Sequence, residues 1–354
     1  MVTRRALGVA VSKGSADLVK RSLVEVGLLE RSLRPLRLDD EVVFPLISEE
    51  GVAERASEIL GVQVSEFEFE AYGRRPATLK ESLSGVIPRD LLARVPSSYD
   101  VIGDIAILRV PPELYEFRHL IARSLLDVNP SVRSIFMETS KVEGTFRVRG
   151  LEHIGGEERT RTVYRENGCV FHVDVDRVYF SPRLSTERAR VVKLAKRGEV
   201  VVDMFAGVGP FSIELAKHKG AKVFASEVNE AAYGLLLLNL AANKVERNVE
   251  AFLGDARDIF RKKADLANRV IMNHPSDSLS FLDVALRLTV EGGTVHVYGF
   301  ASDEAEWTSR VSEKVRHIDE GAVIDCRVSL VREVSPRRGI YVMDLRLLHK
   351  TYFV

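Results

Sequence analysis

The chain of 354 residues carries 51 basic and 51 acidic side chains, so its formal net charge is zero and no global field draws it to a polyanion. With 45% hydrophobic residues it can bury a substantial core, and its length calls for two or three domains. No run approaches the roughly 20 apolar residues of a membrane span, and the opening Met-Val-Thr-Arg-Arg lacks the apolar stretch of a secretory signal, so a cytoplasmic protein with no membrane partner is expected.

In chain order, residues 1 to 72 hold a helical stretch around Asp17 to Leu29, an apolar strand segment at Val42, Val43 and Phe44, and a second helix near Val52 to Leu60. That is enough for a module of its own, and Gly73-Arg74-Arg75-Pro76 reads as a linker. Residues 77 to 170 form a middle domain, with a strand pair in Tyr99 to Val110 and an amphipathic helix over Pro112 to Asn129. From 171 to 354 the pattern alternates strictly. Strands at Val200–Met204, Val223–Val228, Val249–Leu253 and Arg269–Asn273 are followed by helices at Phe211–His218, Glu230–Asn243, a short one, and Leu279–Val290. Gly292 and Gly293 are expected to end the last helix before a strand at Thr294–Phe300. Alternation of this kind predicts an α/β fold, a parallel sheet with helices on both faces. Two final strands, Ala322–Val334 and Ile340–Leu348, are joined by Ser335 to Gly339, a length that suits an antiparallel hairpin. Cys169 and Cys326 have neither a disulfide framework nor metal-ligand spacing, so inert core thiols and no metal site are expected. A single glutamine, Gln63, beside 29% charged residues is a composition that suits a heat-adapted source.

The stretch "DMFAGVGPF" places Gly207 and Gly209 in the first strand-to-helix turn, where the backbone must bend tightly and admit a ligand. A purely structural turn would look the same, and a dinucleotide site would carry a third glycine where this chain has Ser212. Three acids sharpen the choice. Asp203, Glu227 and Asp255 stand at three successive strand ends, Glu227 placed to accept both ribose hydroxyls of an adenosine and Asp255 its amino group. Carboxylates there repel phosphates and suit a nucleoside that carries a positive centre, which points to S-adenosylmethionine.

The run "VYFSPRLSTERARV", followed by "GEVVVDMFAGVGPFS" and "LGDAR", resembles the archaeal and eukaryotic tRNA (guanine(37)-N(1))-methyltransferases, which modify the guanosine immediately 3′ of the anticodon. The likeness extends through "SYDVIGDIAIL", "VEGTFRVR" and "RTVYRENGCVFHVDV", roughly residues 95 to 300. It implies a class I, Rossmann-like methyltransferase domain with a seven-stranded, mostly parallel sheet behind two smaller N-terminal α+β modules. It also implies a monomer whose first module touches the outer corner of tRNA while the rest holds the anticodon stem-loop. In such an enzyme Glu187 is the general base for guanine N1, and Arg147 donates to O6 as charge develops there. Tyr179 and Arg183 hold the target base and its phosphate. Arg188, Phe205, Val228, Ala256 and Asn273 join Asp203, Gly207, Gly209, Glu227 and Asp255 around the cofactor.

At the fourth strand end "NHPS" brings Asn273 and Pro275 in the Asn-x-Pro arrangement with which class I enzymes grip a base edge. His274 departs from the usual Leu. Without the resemblance, Glu187 reads first as an acid favoured by the dipole at the start of a helix. Arg183, Arg188, Arg190, Lys193, Lys196 and Arg197 stand against that lone acid. Lys193, Lys196 and Arg149 are therefore candidates for tRNA phosphates, although such a run also suits a solvated helix face. Two alternatives stand beside guanine N1 methylation. One is another wyosine-type step at the same tRNA position, by methyl or aminocarboxypropyl transfer; the other is an RNA-binding module with a dead methyltransferase fold.

Overall fold

Strand β1 (Thr3–Ser12) sends Val9 and Val11 into one apolar core and Ala6 and Ala10 toward another, the period of two expected of a strand covered on both faces. The computed structural model describes residues 3–30, 32–49, 51–71, 78–140 and 150–351, in two compact units, Met1–Ser82 and Leu83–Val354. The first unit continues with α1 (Ala16–Glu25), β2 (Leu36–Arg37), β3 (Glu41–Pro45), α2 (Val52–Leu60) and β4 (Val64–Glu70). Its antiparallel sheet has the order β2-β3-β1-β4. Sequence reasoning finds both helices and β3 but misses β1 and β4, whose apolar residues are spaced by glycine and glutamate. The expected linker Gly73 to Pro76 lies outside the described residues.

The chain enters the second unit within α3 (Leu79–Leu83) and continues through α4 (Arg89–Leu92). A second sheet follows from β5 (Asp100–Ile102) and β6 (Ile105–Leu108), the expected strand pair, then α5 (Arg118–Val128), β7 (Ser134–Glu138) and β8 (Leu151–Gly156). Next comes a hairpin, β9 (Arg161–Glu166) and β10 (Cys169–Asp174). The boundary expected at residue 170 falls inside β10. The hairpin docks through asparagines: Asn239 and Asn243 each donate to and accept from the backbone of β10, at His172 and Val170. These four bonds satisfy an edge that would otherwise be buried unpaired.

The remaining elements are α6 (Ser185–Leu194), β11 (Val200–Asp203), α7 (Pro210–Lys219), β12 (Lys222–Glu227), α8 (Glu230–Asn243), β13 (Val249–Leu253) and α9 (Ala256–Ile259), then β14 (Ala267–Met272), α10 (Leu282–Leu288), β15 (Thr289–Ala301), α11 (Glu304–Ile318), β16 (Val323–Ser335) and β17 (Arg338–His349). They build a seven-stranded sheet in the order β13-β12-β11-β14-β15-β17-β16, in which β17 alone runs against the other strands. Val201 and Ile271 face one core; Val202, Val270 and Met272 face the other. This is the α/β class that alternation predicted, the class I fold.

Two expectations need correction, and one element was missed. Helix α10 ends at Leu288, and Gly292 and Gly293 lie within β15, where the register against β14 jumps between Thr289 and Thr294. Gly292 has φ +78°, so the glycines form a bulge and not a helix stop. Helix α11 went unread, although Asp303 caps it by accepting the Glu306 N–H while the Glu306 carboxylate accepts the Ser302 N–H. Cys169 is buried, and its burial pushes the thiol up to about 11, but Cys326 is exposed on β16 and belongs to no core.

Candidate active site

A cavity of about 290 Å³ opens at the C-terminal ends of the strands around β11 and β14, where the strand order reverses. The two glycines of its first turn do different work. Gly209, with φ +92°, lies so close to α8 that a Cβ would fall 2.4 Å from Leu236 Cδ1. Gly207, with φ +56°, would point a Cβ into open space. Gly209 thus serves packing, and Gly207 leaves the approach to the cavity clear.

Glu227 sits on the cavity wall with Oε2 accepting the Gly207 N–H at 2.7 Å and Oε1 the Asn229 N–H at 2.8 Å. Burial raises its pKa and these two N–H groups oppose the rise. The Val228 N–H opposes it too, and of the roughly four acceptor sites of a carboxylate part remains for a ligand hydroxyl. Asp203 is buried beneath the turn and accepts from the Ser212 hydroxyl at 2.7 Å; burial pushes it up to about 6. It does not line the cavity itself but braces the turn through Ser212. Asp255 does line it, capping α9, yet both oxygens are engaged by Arg257, at 3.0 and 2.6 Å. Arg257 holds that carboxyl low and lies 4.3 Å over the Phe281 ring. Neither Arg257 nor Phe281 was foreseen as part of the wall. Phe205, Val228 and Ala256 line the same space, and Val228 keeps 42% of its surface exposed there.

Tyr179, Arg188, Asn273 and His274 also line the cavity. The His274 ring packs 5.0 Å from that of Phe205. Pro275 is buried and is not part of the wall. Arg188 is only 1% exposed; its Nε lies 2.6 Å from Glu166, and Glu214 is 3.8 Å away. Burial raises Glu214 to about 8.

Glu187 is not on the wall. It is 8% exposed, and Arg190 Nε and Nη2 donate to its two oxygens at 2.7 and 2.8 Å. The Tyr298 hydroxyl donates to the same carboxylate at 2.6 Å, and the Tyr298 ring lies 6.2 Å from that of Phe211, a wall residue. Arg190 continues to Asp344, and Asp344 to His296. None of Arg190, Tyr298, His296 and Asp344 was singled out for the site. One signal was legible: His296 and Tyr298 are polar groups two apart, hence on one face, in the otherwise apolar run "TVHVYGF".

Half of the basic run is consumed internally. Arg183 pairs with Asp100 at 2.6 Å, Arg188 with Glu166, and Arg190 with Glu187 and Asp344, while Lys193, Lys196 and Arg197 are exposed. The cause is that carboxylates distant in sequence converge on this helix. Arg147 and Arg149 lie outside the described residues.

Residues 162–329 match the TRM5/TYW2 methyltransferase domain, and residues 79–160 match the TYW2 N-terminal domain. The chain is 38% identical over 344 residues to the tRNA (guanine(37)-N(1))-methyltransferase Trm5b of Pyrococcus abyssi, covering 96% of this chain and 99% of that one. A crystal structure of Trm5b from that organism superposes with a TM-score of 0.70 over 97% of this chain and 100% of the other, at 38% identity. A structure of aTrm5 in complex with tRNALeu gives 0.70 at 31% identity, again over 97% and 100%. TYW2 of P. horikoshii in complex with MeSAdo gives 0.64 at 30% identity, but over 76% of this chain and 97% of that one.

Proposed function

The chain belongs to the tRNA (guanine(37)-N(1))-methyltransferase family built on the TRM5/TYW2 methyltransferase domain, and on that footing we propose that it transfers the methyl group of S-adenosylmethionine to N1 of the guanosine 3′ of the anticodon. The observation that carries this reading over a TYW2-type step is coverage. The Trm5 structures match 97% of the chain, whereas the TYW2 structure stops at 76%, a shortfall of the size of the Met1–Ser82 unit. No helix of the described residues is long and apolar enough to cross a membrane. The same reading makes the protein a cytoplasmic monomer, with the first unit on the outer corner of the tRNA and the second on its anticodon stem-loop.

The cavity suits the cofactor: an open approach at Gly207, a fixed carboxylate at Glu227 for a diol, and apolar walls at Phe205 and Val228. S-adenosylmethionine supplies an electrophilic methyl on a positively charged sulfur. Guanine N1 is protonated in the neutral base, so its proton must leave before the nitrogen can attack. In this assignment Glu187 accepts that proton, and Arg147 donates to O6 as charge moves there. Tyr179 and Asn273 orient the base, and His274 forms the wall where the base edge lies. Mass spectrometry of nucleosides from unmodified tRNA incubated with the protein and S-adenosylmethionine tests this directly. 1-Methylguanosine at the position after the anticodon is expected, and its absence would overturn the reading.

Lys193, Lys196 and Arg197 are exposed and stand outside the ion pairs that engage Arg183, Arg188 and Arg190, which leaves them to meet phosphate. Replacing both lysines with Ala should weaken tRNA binding and flatten the log–log salt dependence by up to about two, with cofactor affinity unchanged. An unchanged slope would make them solubilising charges.

A further inference from the structure

Beneath α6, four side chains from three elements form a continuous hydrogen-bonded line that ends on Glu187. Tyr298 and His296 project from one face of β15, Asp344 stands opposite His296 on β17, and Arg190 lies one helical turn after Glu187. Arg190 is shared: Nε and Nη2 serve Glu187, while Nη1 and Nη2 serve Asp344 at 2.5 and 3.0 Å. His296 Nδ1 is 2.6 Å from Asp344 Oδ1, and Arg269 donates to His296 Nε2 at 2.6 Å. An arginine can only donate, so Nε2 accepts, and the remaining ring nitrogen carries the proton that His296 gives to Asp344. Arg269 is in turn held by Glu199 at 2.8 Å. The neighbouring Arg188 on α6 faces Glu166 and Glu214 instead.

We infer that Tyr298, Arg190 and Asp344 are positioning residues that set how firmly Glu187 holds a proton during methyl transfer. The inference rests on the assignment of Glu187 as the base under the proposed function. Two carboxylates compete for one guanidinium, so Glu187 has only part of the charge of Arg190. Tyr298 acts in the opposite sense to Asp344, because its hydrogen bond stabilises the carboxylate form. Burial, then the Glu187 charge, hold the Tyr298 phenol well above its ordinary range, so it remains a donor. For Asp344, burial alone would raise the carboxyl, but hydrogen bonds from His296 and Arg190 outweigh it and hold the group low. Burial depresses His296 despite the Asp344 hydrogen bond, which keeps the ring neutral. The line is thus charged at Arg190 and Asp344 and neutral at Tyr298 and His296.

The test is the pH dependence of single-turnover methyl transfer with tRNA and S-adenosylmethionine saturating, in the wild type, Tyr298→Phe, Asp344→Asn and Glu187→Gln. Removing the tyrosine hydroxyl takes a stabilising bond from the carboxylate, so the acid limb of the profile should move up by about one pH unit. Removing the Asp344 charge gives Arg190 wholly to Glu187, so the limb should move down by about one unit. Opposite shifts with unchanged cofactor affinity establish the inference, since mere structural damage would not move the limb both ways. Tyr298→Phe keeps the ring that packs near Phe211 and carries the test if Asp344→Asn fails to fold. A slow Glu187→Gln with no shift in Tyr298→Phe would overturn the inference and leave the function standing. A wild-type rate in Glu187→Gln would remove the base itself, and a wild type that makes no 1-methylguanosine would remove the function.

Discussion

Glu187→Gln is expected to slow methyl transfer by about 100-fold or more in single turnover, the usual contribution of a positioned base, while tRNA and cofactor affinities stay near wild type. The cavity itself is untouched by the change, because Glu187 does not line it. The carbonyl of glutamine still accepts from Tyr298, and Arg190 keeps Asp344 as its partner. What is lost is the capacity to take the N1 proton. The structure holds Glu187 against Arg190 and Tyr298, and bonds at a reacting centre commonly tighten only once substrate is bound. Rapid-quench kinetics with radiolabelled cofactor reads the step. A rate equal to wild type would make Glu187 a structural member of the buried line and send the search for the base elsewhere along the wall.

Gly207→Val is expected to abolish cofactor binding while leaving a folded protein. A Cβ at this position meets no heavy atom within 4 Å, so the branched side chain would extend into the open space at the mouth of the cavity. The φ of +56° costs a non-glycine residue about 1–2 kcal/mol, which lowers Tm by a few degrees without unfolding a domain of this size. Gly209→Ala makes the contrast. Its methyl would fall 2.4 Å from Leu236 Cδ1, so the Leu236 side chain must give way at a φ of +92° that already strains a non-glycine residue, and stability should suffer before binding does. Calorimetric titration with S-adenosylmethionine, alongside thermal melts, separates the two. If Gly207→Val binds cofactor normally, or fails to fold at all, the glycine serves only the turn.

The position of the cofactor cleft was legible in the chain because it is local. A valine strand, two glycines and a helix start within a dozen residues specify one turn, and the acids at strand ends follow once alternation fixes the strands as parallel. Helices α2 and α8 were readable to the residue, since an apolar helical run is bounded by local punctuation, Gly51 and Gly61 for α2 and the capping Asn229 for α8. Glycine was ambiguous for the same local reason: Gly292 and Gly293 punctuate equally a helix end and a strand bulge, and only the pairing of β15 with β14 separates the two. The environment of Glu187 had no local signature. Its tyrosine partner is 111 residues away, and the carboxylate that shares Arg190 lies 154 residues from that arginine. Nor could charge counting foresee that Arg183, Arg188 and Arg190 would be neutralised from Asp100, Glu166 and Asp344. Turns and caps are set by neighbours in the chain, whereas the charge state and reach of a buried side chain depend on which distant strands the sheet brings beneath it.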